Sequence, residues 1–173
     1  MRTTTTLPDI NLFTQIESPI GALLLTSRTY RLTGLYFADR PHAPQIGPRW
    51  MEQANAAIFI RTARQVNEYT SGKRKQFDLP MDIGGTPFQQ LVWQYIAAIP
   101  YGETISSSEL ARQVGYPEDP GAVAEATNTN PFALIIPCHR VVGENGDLAS
   151  YSGGLPLKSA LLDFEAGKSA SLG

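Results

Sequence analysis

The chain has 173 residues, with 14 Lys+Arg against 16 Asp+Glu, a net charge of −2, 42% hydrophobic residues, two histidines and one cysteine. That length suits one ordinary domain or two small packed ones, and a single cysteine rules out an intrachain disulfide framework and a Cys-rich zinc site. No apolar run approaches the ~20 residues of a membrane span, and the start Met1-Arg2-Thr3-Thr4 lacks the apolar stretch of a signal peptide, so a soluble, cytoplasmic protein is expected.

In chain order, the Thr-rich residues 1–10 read as a flexible tail. Three short β-type runs follow, at residues 12–16, 22–26 and 32–37, separated by the turn segments Ser18-Pro19-Ile20-Gly21 and Ser27-Arg28-Thr29-Tyr30. They predict an antiparallel meander. Residues 39–48 hold three prolines and read as a loop, residues 51–69 carry helical spacing with Ser71-Gly72 as the stop, and residues 77–81 return to extended chain. A second unit starts at Thr86-Pro87, an N-cap followed by proline at the first helical position, and its helix ends at Pro100-Tyr101-Gly102. Ile105-Ser106 opens another helix that Gly115 closes, and a short helix over 120–127 follows at a helix-turn-helix interval. Phe132-Ala133-Leu134-Ile135-Ile136, the most apolar run, reads as a buried strand ending at Pro137. Residues 143–154 are a glycine-rich loop, residues 156–164 a last amphipathic helix, and residues 168–173 a second flexible tail. The fold class expected is α+β: a small N-terminal three-stranded antiparallel sheet with a helix (residues 11–84), packed on a mostly helical C-terminal domain (85–167) that contains a helix-turn-helix and the Pro137-Cys138-His139-Arg140 segment.

Cys138 is the residue most open to a chemical role. A lone cysteine is ordinarily a small buried hydrophobe. Here Pro137 removes it from any strand ladder, His139 is one of only two histidines, and Arg140 follows. Thiols react as thiolates, and a neighbouring imidazole or cation lowers the thiol pKa.

With Asn130-Pro131 before it, Tyr151-Ser152-Gly153-Gly154 and Leu161-Leu162-Asp163-Phe164-Glu165 after it, Pro137-Cys138-His139-Arg140-Val141-Val142 resembles the active-site region of the O6-alkylguanine-DNA alkyltransferases. The N-terminal turn Ser18-Pro19-Ile20-Gly21, the run Gly85-Thr86-Pro87-Phe88-Gln89-Gln90-Leu91-Val92-Trp93 and Ile99-Pro100-Tyr101-Gly102-Glu103-Thr104 extend the resemblance over residues 16–167. It implies that 85–167 is the alkyltransferase domain and that one alkyl group passes, once and irreversibly, from O6 of a flipped-out guanine to Cys138. His139 would be the base through a water, Glu165 would orient it, and Asn130 would hold the water network. The guanine pocket would use the Val141 carbonyl and Tyr151, Ser152 and Gly153, with a donor at O6 so that guanine leaves neutral. No metal or cofactor is implied, and His42, in the Pro-rich loop, reads as surface.

The helix-turn-helix departs from the family. The tyrosine that helps turn the nucleotide falls on Ser107, and the arginine that fills the gap in the base stack falls on Gly121, followed by Ala122. Thr127 and Asn128 complete the expected DNA-facing set. Residues 106–131 carry one cation, Arg112, against Glu109, Glu118, Asp119 and Glu125, a poor match to phosphates. Duplex binding is therefore a doubtful partner, and the free O6-alkylguanine base an alternative one, as for a self-labelling tag. A third possibility is a non-catalytic module that binds alkylated DNA; those modules replace the cysteine, which is present here. A monomer is expected.

Overall fold

The computed structural model describes residues 10–172, so the tail expected at the N-terminus lies, apart from Ile10, outside the described residues. Strands β1 (Asn11–Ile16), β2 (Leu23–Arg28) and β3 (Arg31–Phe37) form the antiparallel meander, closed between β1 and β2 by a turn in which Gly21 donates to the Ser18 carbonyl. Leu23 to Ser27 of β2 are all buried, as on a strand covered on both faces.

The sheet has a fourth strand, β4 (Trp50–Glu52), parallel to β1 and giving the order β3-β2-β1-β4. It replaces the start of the helix expected over 51–69, which begins later as α1 (Ala57–Thr70). Three residues are too short to display a two-residue alternation, and Ala56 caps α1 without a side-chain bond, so the true start carried no signal. Residues 77–81 stay extended but join no strand: Gln65 of α1 holds Asp78 by both its N–H and its carbonyl, and Met81 bridges Leu32.

In the second half, α2 (Pro87–Ala97) opens on a full capping box between Thr86 and Gln89. Ile105-Ser106, expected to open the next helix, forms a two-residue strand β5 instead, and Ser106 then caps α3 (Ser107–Val114) through the Glu109 N–H. After α4 (Pro120–Asn128), the apolar run 132–136 is not the strand its composition suggests. Phe132 pairs with Leu35 at the edge of β3, and the chain then coils, with Leu134 at φ +67° and Ile136 N–H bonded to the Phe132 carbonyl. The side chains of this run lie at the seam between the halves, so the apolar signal marks burial and not a ladder. Cys138–Arg140 is one 3-10 turn after Pro137, followed by β6 (Val141–Val142), parallel to β5, and by α5 (Leu155–Glu165). One core cluster runs through both halves, from Leu25 and Phe59 to Val92, Ile96, Leu110 and Val123. The stretch expected as a C-terminal tail is pinned at Leu172, buried against Tyr69, Leu134, Leu161 and Phe164.

Candidate active site

Asn130 organises the coiled segment that presents the cysteine. Its side-chain oxygen accepts from Phe132 N–H at 2.8 Å, and its amide nitrogen donates to the carbonyls of Phe132 and Ile136 and to Cys138 Sγ at 3.3 Å. It thus braces the turn and touches the sulfur directly. Cys138 is 7% exposed. Burial pushes its thiol up, and the Asn130 hydrogen bond and the Lys158 charge offset this only in part. The thiolate-favouring effect expected from the sequence neighbours does not prevail over burial, and the Arg140 charge is committed elsewhere.

That commitment is to Glu165, the last residue of α5. His139 Nε2 lies 2.8 Å from Oε1, Arg140 donates from Nε to Oε2 at 2.8 Å and from Nη2 to Oε1 at 2.9 Å, and Tyr69 donates its hydroxyl to Oε1 at 2.6 Å. Burial alone would raise the Glu165 carboxyl, but the hydrogen bonds from His139, Arg140 and Tyr69 win and hold it well below the usual carboxylate range. An ionised carboxylate only accepts, so the proton of a neutral His139 sits on Nε2 and Nδ1 is left with a bare lone pair. Nδ1 is buried and has no hydrogen-bond partner among the described residues. Burial also lowers the His139 pKa, with the Glu165 bond pulling the other way, so the ring rests neutral and able to take a proton.

A narrow pocket opens beside the sulfur, lined by Thr127, Asn128, Asn130, Cys138, Ser150, Tyr151 and Ser152, with about 10 Å³ of free volume. That is room for roughly one water. Ser150 Oγ donates to Asn128 Oδ1 at 2.9 Å across it, and the buried Tyr151 hydroxyl has no partner among the described residues. Of the other residues expected here, the Val141 carbonyl accepts from Lys158 Nζ at 2.6 Å, while Gly153 is buried where an added Cβ would meet Leu157 and Phe37 at 2.8 Å.

The five positions expected to face DNA separate. Thr127 and Asn128 belong to the pocket, whereas Ser107 opens α3 and Gly121 and Ala122 lie in the first turn of α4. Arg112 is paired with Glu109 on its own helix. Sequence reasoning missed Tyr69 and Lys158. Lys158 had a signal: with Leu161 and Glu165 it occupies one helical face, and a charge on a core-facing stripe of α5 needs a buried partner.

Two family models match in tandem: "6-O-methylguanine DNA methyltransferase, ribonuclease-like domain" over residues 11–83 and "6-O-methylguanine DNA methyltransferase, DNA binding domain" over 87–167. The chain is 42% identical over 151 residues to a methylated-DNA–protein-cysteine methyltransferase of Mycobacterium leprae, covering 87% of this chain and 89% of that one. It is 44% identical over 150 residues to one from Methanosarcina barkeri, covering 87% and 94%. Among solved structures, Mycobacterium tuberculosis OGT in complex with DNA superposes with a TM-score of 0.83 at 39% identity, covering 91% of this chain and 94% of that one. The Pyrococcus kodakaraensis O6-methylguanine-DNA methyltransferase, at 20% identity and a TM-score of 0.62, shares the fold. Since the matched domains run almost without a break through both halves and through the Cys138 site, this chain belongs to the 6-O-methylguanine DNA methyltransferase family.

Proposed function

We propose that this protein reverses O6-alkylation of guanine by taking the alkyl group onto Cys138, one group per molecule. The Cys138 thiol gives its proton, through a water, to His139 Nδ1, and the sulfur attacks the alkyl carbon. The S–C bond forms as the C–O6 bond breaks, the electron pair passes to O6, and guanine leaves neutral once a donor supplies a proton. Glu165 fixes the His139 tautomer and stabilises the imidazolium, Asn130 steadies the sulfur, and the unpartnered hydroxyl of Tyr151, which lines the pocket with Ser152, serves as the donor for the leaving base. The observation that carries this reading is the buried His139, gripped at Nε2 by Glu165 with Nδ1 bare, in the residue next to the cysteine.

A second reading concerns the substrate's context. With glycine at 121, serine at 107 and an acidic helix-turn-helix, the free O6-alkylguanine base is a better substrate than the lesion in a duplex, whose extrusion costs a few kcal/mol that no wedge here repays. A cytoplasmic monomer completes the proposal; no helix among the described residues is long and apolar enough to cross a membrane.

Intact-protein mass spectrometry after incubation with O6-benzylguanine and, separately, with a duplex carrying O6-methylguanine tests both readings. One benzyl group is expected on the wild type and none on Cys138→Ser. Uptake by Cys138→Ser overturns the assignment of the acceptor. No uptake by the wild type, with retained binding to the alkylated duplex, identifies a non-catalytic binding module. Faster labelling by the free base than by the duplex supports the second reading.

A further inference from the structure

The N-terminal half contributes no side chain to the pocket beside Cys138, yet it reaches the group that controls His139. Tyr69 lies on α1, 96 residues from Glu165 in the chain, and is 1% exposed. Its ring is packed among Phe77, Tyr101 and Phe164, with centroids 5.4, 6.2 and 6.1 Å away, so the direction of its hydroxyl is fixed. Glu165 Oε1, to which it donates, also serves His139 Nε2 and Arg140 Nη2. Three donors on one carboxylate oxygen share its charge, and each weakens the hold of that oxygen on the other two.

We infer that Tyr69 is a positioning residue for alkyl transfer, its hydroxyl sharing Glu165 with His139 and so setting how firmly the histidine holds a proton. The inference rests on the proposed role of His139 as the base. The charged and titratable groups around this pair come from every element packed against it: Arg140 and Cys138 from the 3-10 turn, Lys158 from α5, Tyr151 from the glycine-rich loop, Tyr101 from the segment after α2, and Lys75 above the Tyr101 ring. Of these groups, His139 is the one whose ordinary pKa lies nearest neutrality, and burial lowers it from there. Tyr69 stays protonated throughout that range, since burial and the Glu165 charge raise its pKa. Removal of the hydroxyl concentrates the negative charge of Oε1 on the remaining donors, which favours the imidazolium. The sign is therefore upward.

The test is Tyr69→Phe, which keeps the ring packing and leaves Arg140 to hold the carboxylate through Oε2. The protein has two histidines, and His42 is exposed, so ¹⁵N-histidine NMR follows His139 against an internal reference. The titration of His139 is expected to move up by roughly half a unit to one unit. The acid limb of Cys138 labelling by O6-benzylguanine should follow it, lowering the rate on that limb by about three- to tenfold while the plateau above it is kept. Tyr69→Leu removes the ring as well: it should give the same shift with an added loss of thermal stability, which separates proton control from packing. An unchanged or downward His139 titration in Tyr69→Phe overturns the inference. The NMR arm needs no alkyl transfer, so failure of the Cys138 reading appears separately, as a wild type that gains no mass.

Discussion

Around Glu165, burial and hydrogen bonding pull in opposite directions, and His139 and then Arg140 tip the balance toward the carboxylate; Arg140 is the permanently charged partner. Its guanidinium is almost wholly buried, bonded twice to the carboxylate and once to the Ile99 carbonyl at 2.7 Å, and it lies over the Tyr101 ring. Breaking a buried pair by removing one member strands the other charge, at a cost of about 3–5 kcal/mol. Arg140→Met should therefore lower the unfolding free energy by that amount, read as a fall in the urea midpoint at unchanged slope, far more than a surface arginine such as Arg64, whose link to Glu68 spans 3.8 Å. Gly102 shows how tightly the carboxylate is enclosed: its N–H points at Oε2 from 3.4 Å, and a Cβ there would lie 3.1 Å from the Glu165 carbonyl, at a φ of +83° that already demands glycine. At this scale the sequence made Cys138 and His139 legible, because adjacency to Pro137 and rarity mark them. Glu165 and Asn130 were legible only through the family pattern. Tyr69 was not legible at all, since a tyrosine at the end of an amphipathic helix looks like core until the fold brings α1 against α5.

Element by element, capping chemistry predicted helices well and short strands poorly. The Thr86-Pro87 start and the Gly115 stop each follow from backbone needs written in one or two residues. β4 and β5 are three and two residues long, set by pairing with distant partners, and no local pattern announces them. The helix-turn-helix is present as geometry without the side chains expected to act on DNA. Gly121 is exposed with helical backbone, and a Cβ there meets nothing nearer than Asp119 Oδ1 at 3.7 Å, so a long side chain fits. The double variant Ser107→Tyr, Gly121→Arg should raise methyl transfer from a duplex by about tenfold or more, given that flipping costs a few kcal/mol. Labelling by the free base should stay within about twofold. Rates measured by mass spectrometry on both substrates check this, and a parallel rise on both would place the effect in the pocket and not in base extrusion.

For the whole molecule, the two halves share one core, and the edge of β3 is occupied by residues 80–82 and 131–133, which bond to Leu32 and Leu35. The boundary near residue 85 that composition suggests is thus a change of pattern and not a gap in packing. Thermal unfolding followed by tryptophan fluorescence and by far-ultraviolet dichroism should give coincident transitions; two separated transitions would contradict the shared core. Stability should also depend on pH in two stages. His139 has a lowered pKa in the folded state, so below the ordinary value of 6.5 the unfolded chain gains a proton that the native state resists, and stability starts to fall. Glu165 is lowered too, so a steeper loss follows below the ordinary 4.5, and above about pH 7 the curve should be flat with respect to both groups. Urea midpoints across that range measure it. The closed pocket has a bearing on time as well as on chemistry. A protein that spends itself in one event is a stock, counted in intact sulfurs, and it must wait unspent. Peroxide and stray electrophiles attack thiolates, so a sulfur kept neutral and nearly out of solvent ages slowly while idle, and that keeping quality is fixed by the same burial that makes Cys138 unreactive at rest.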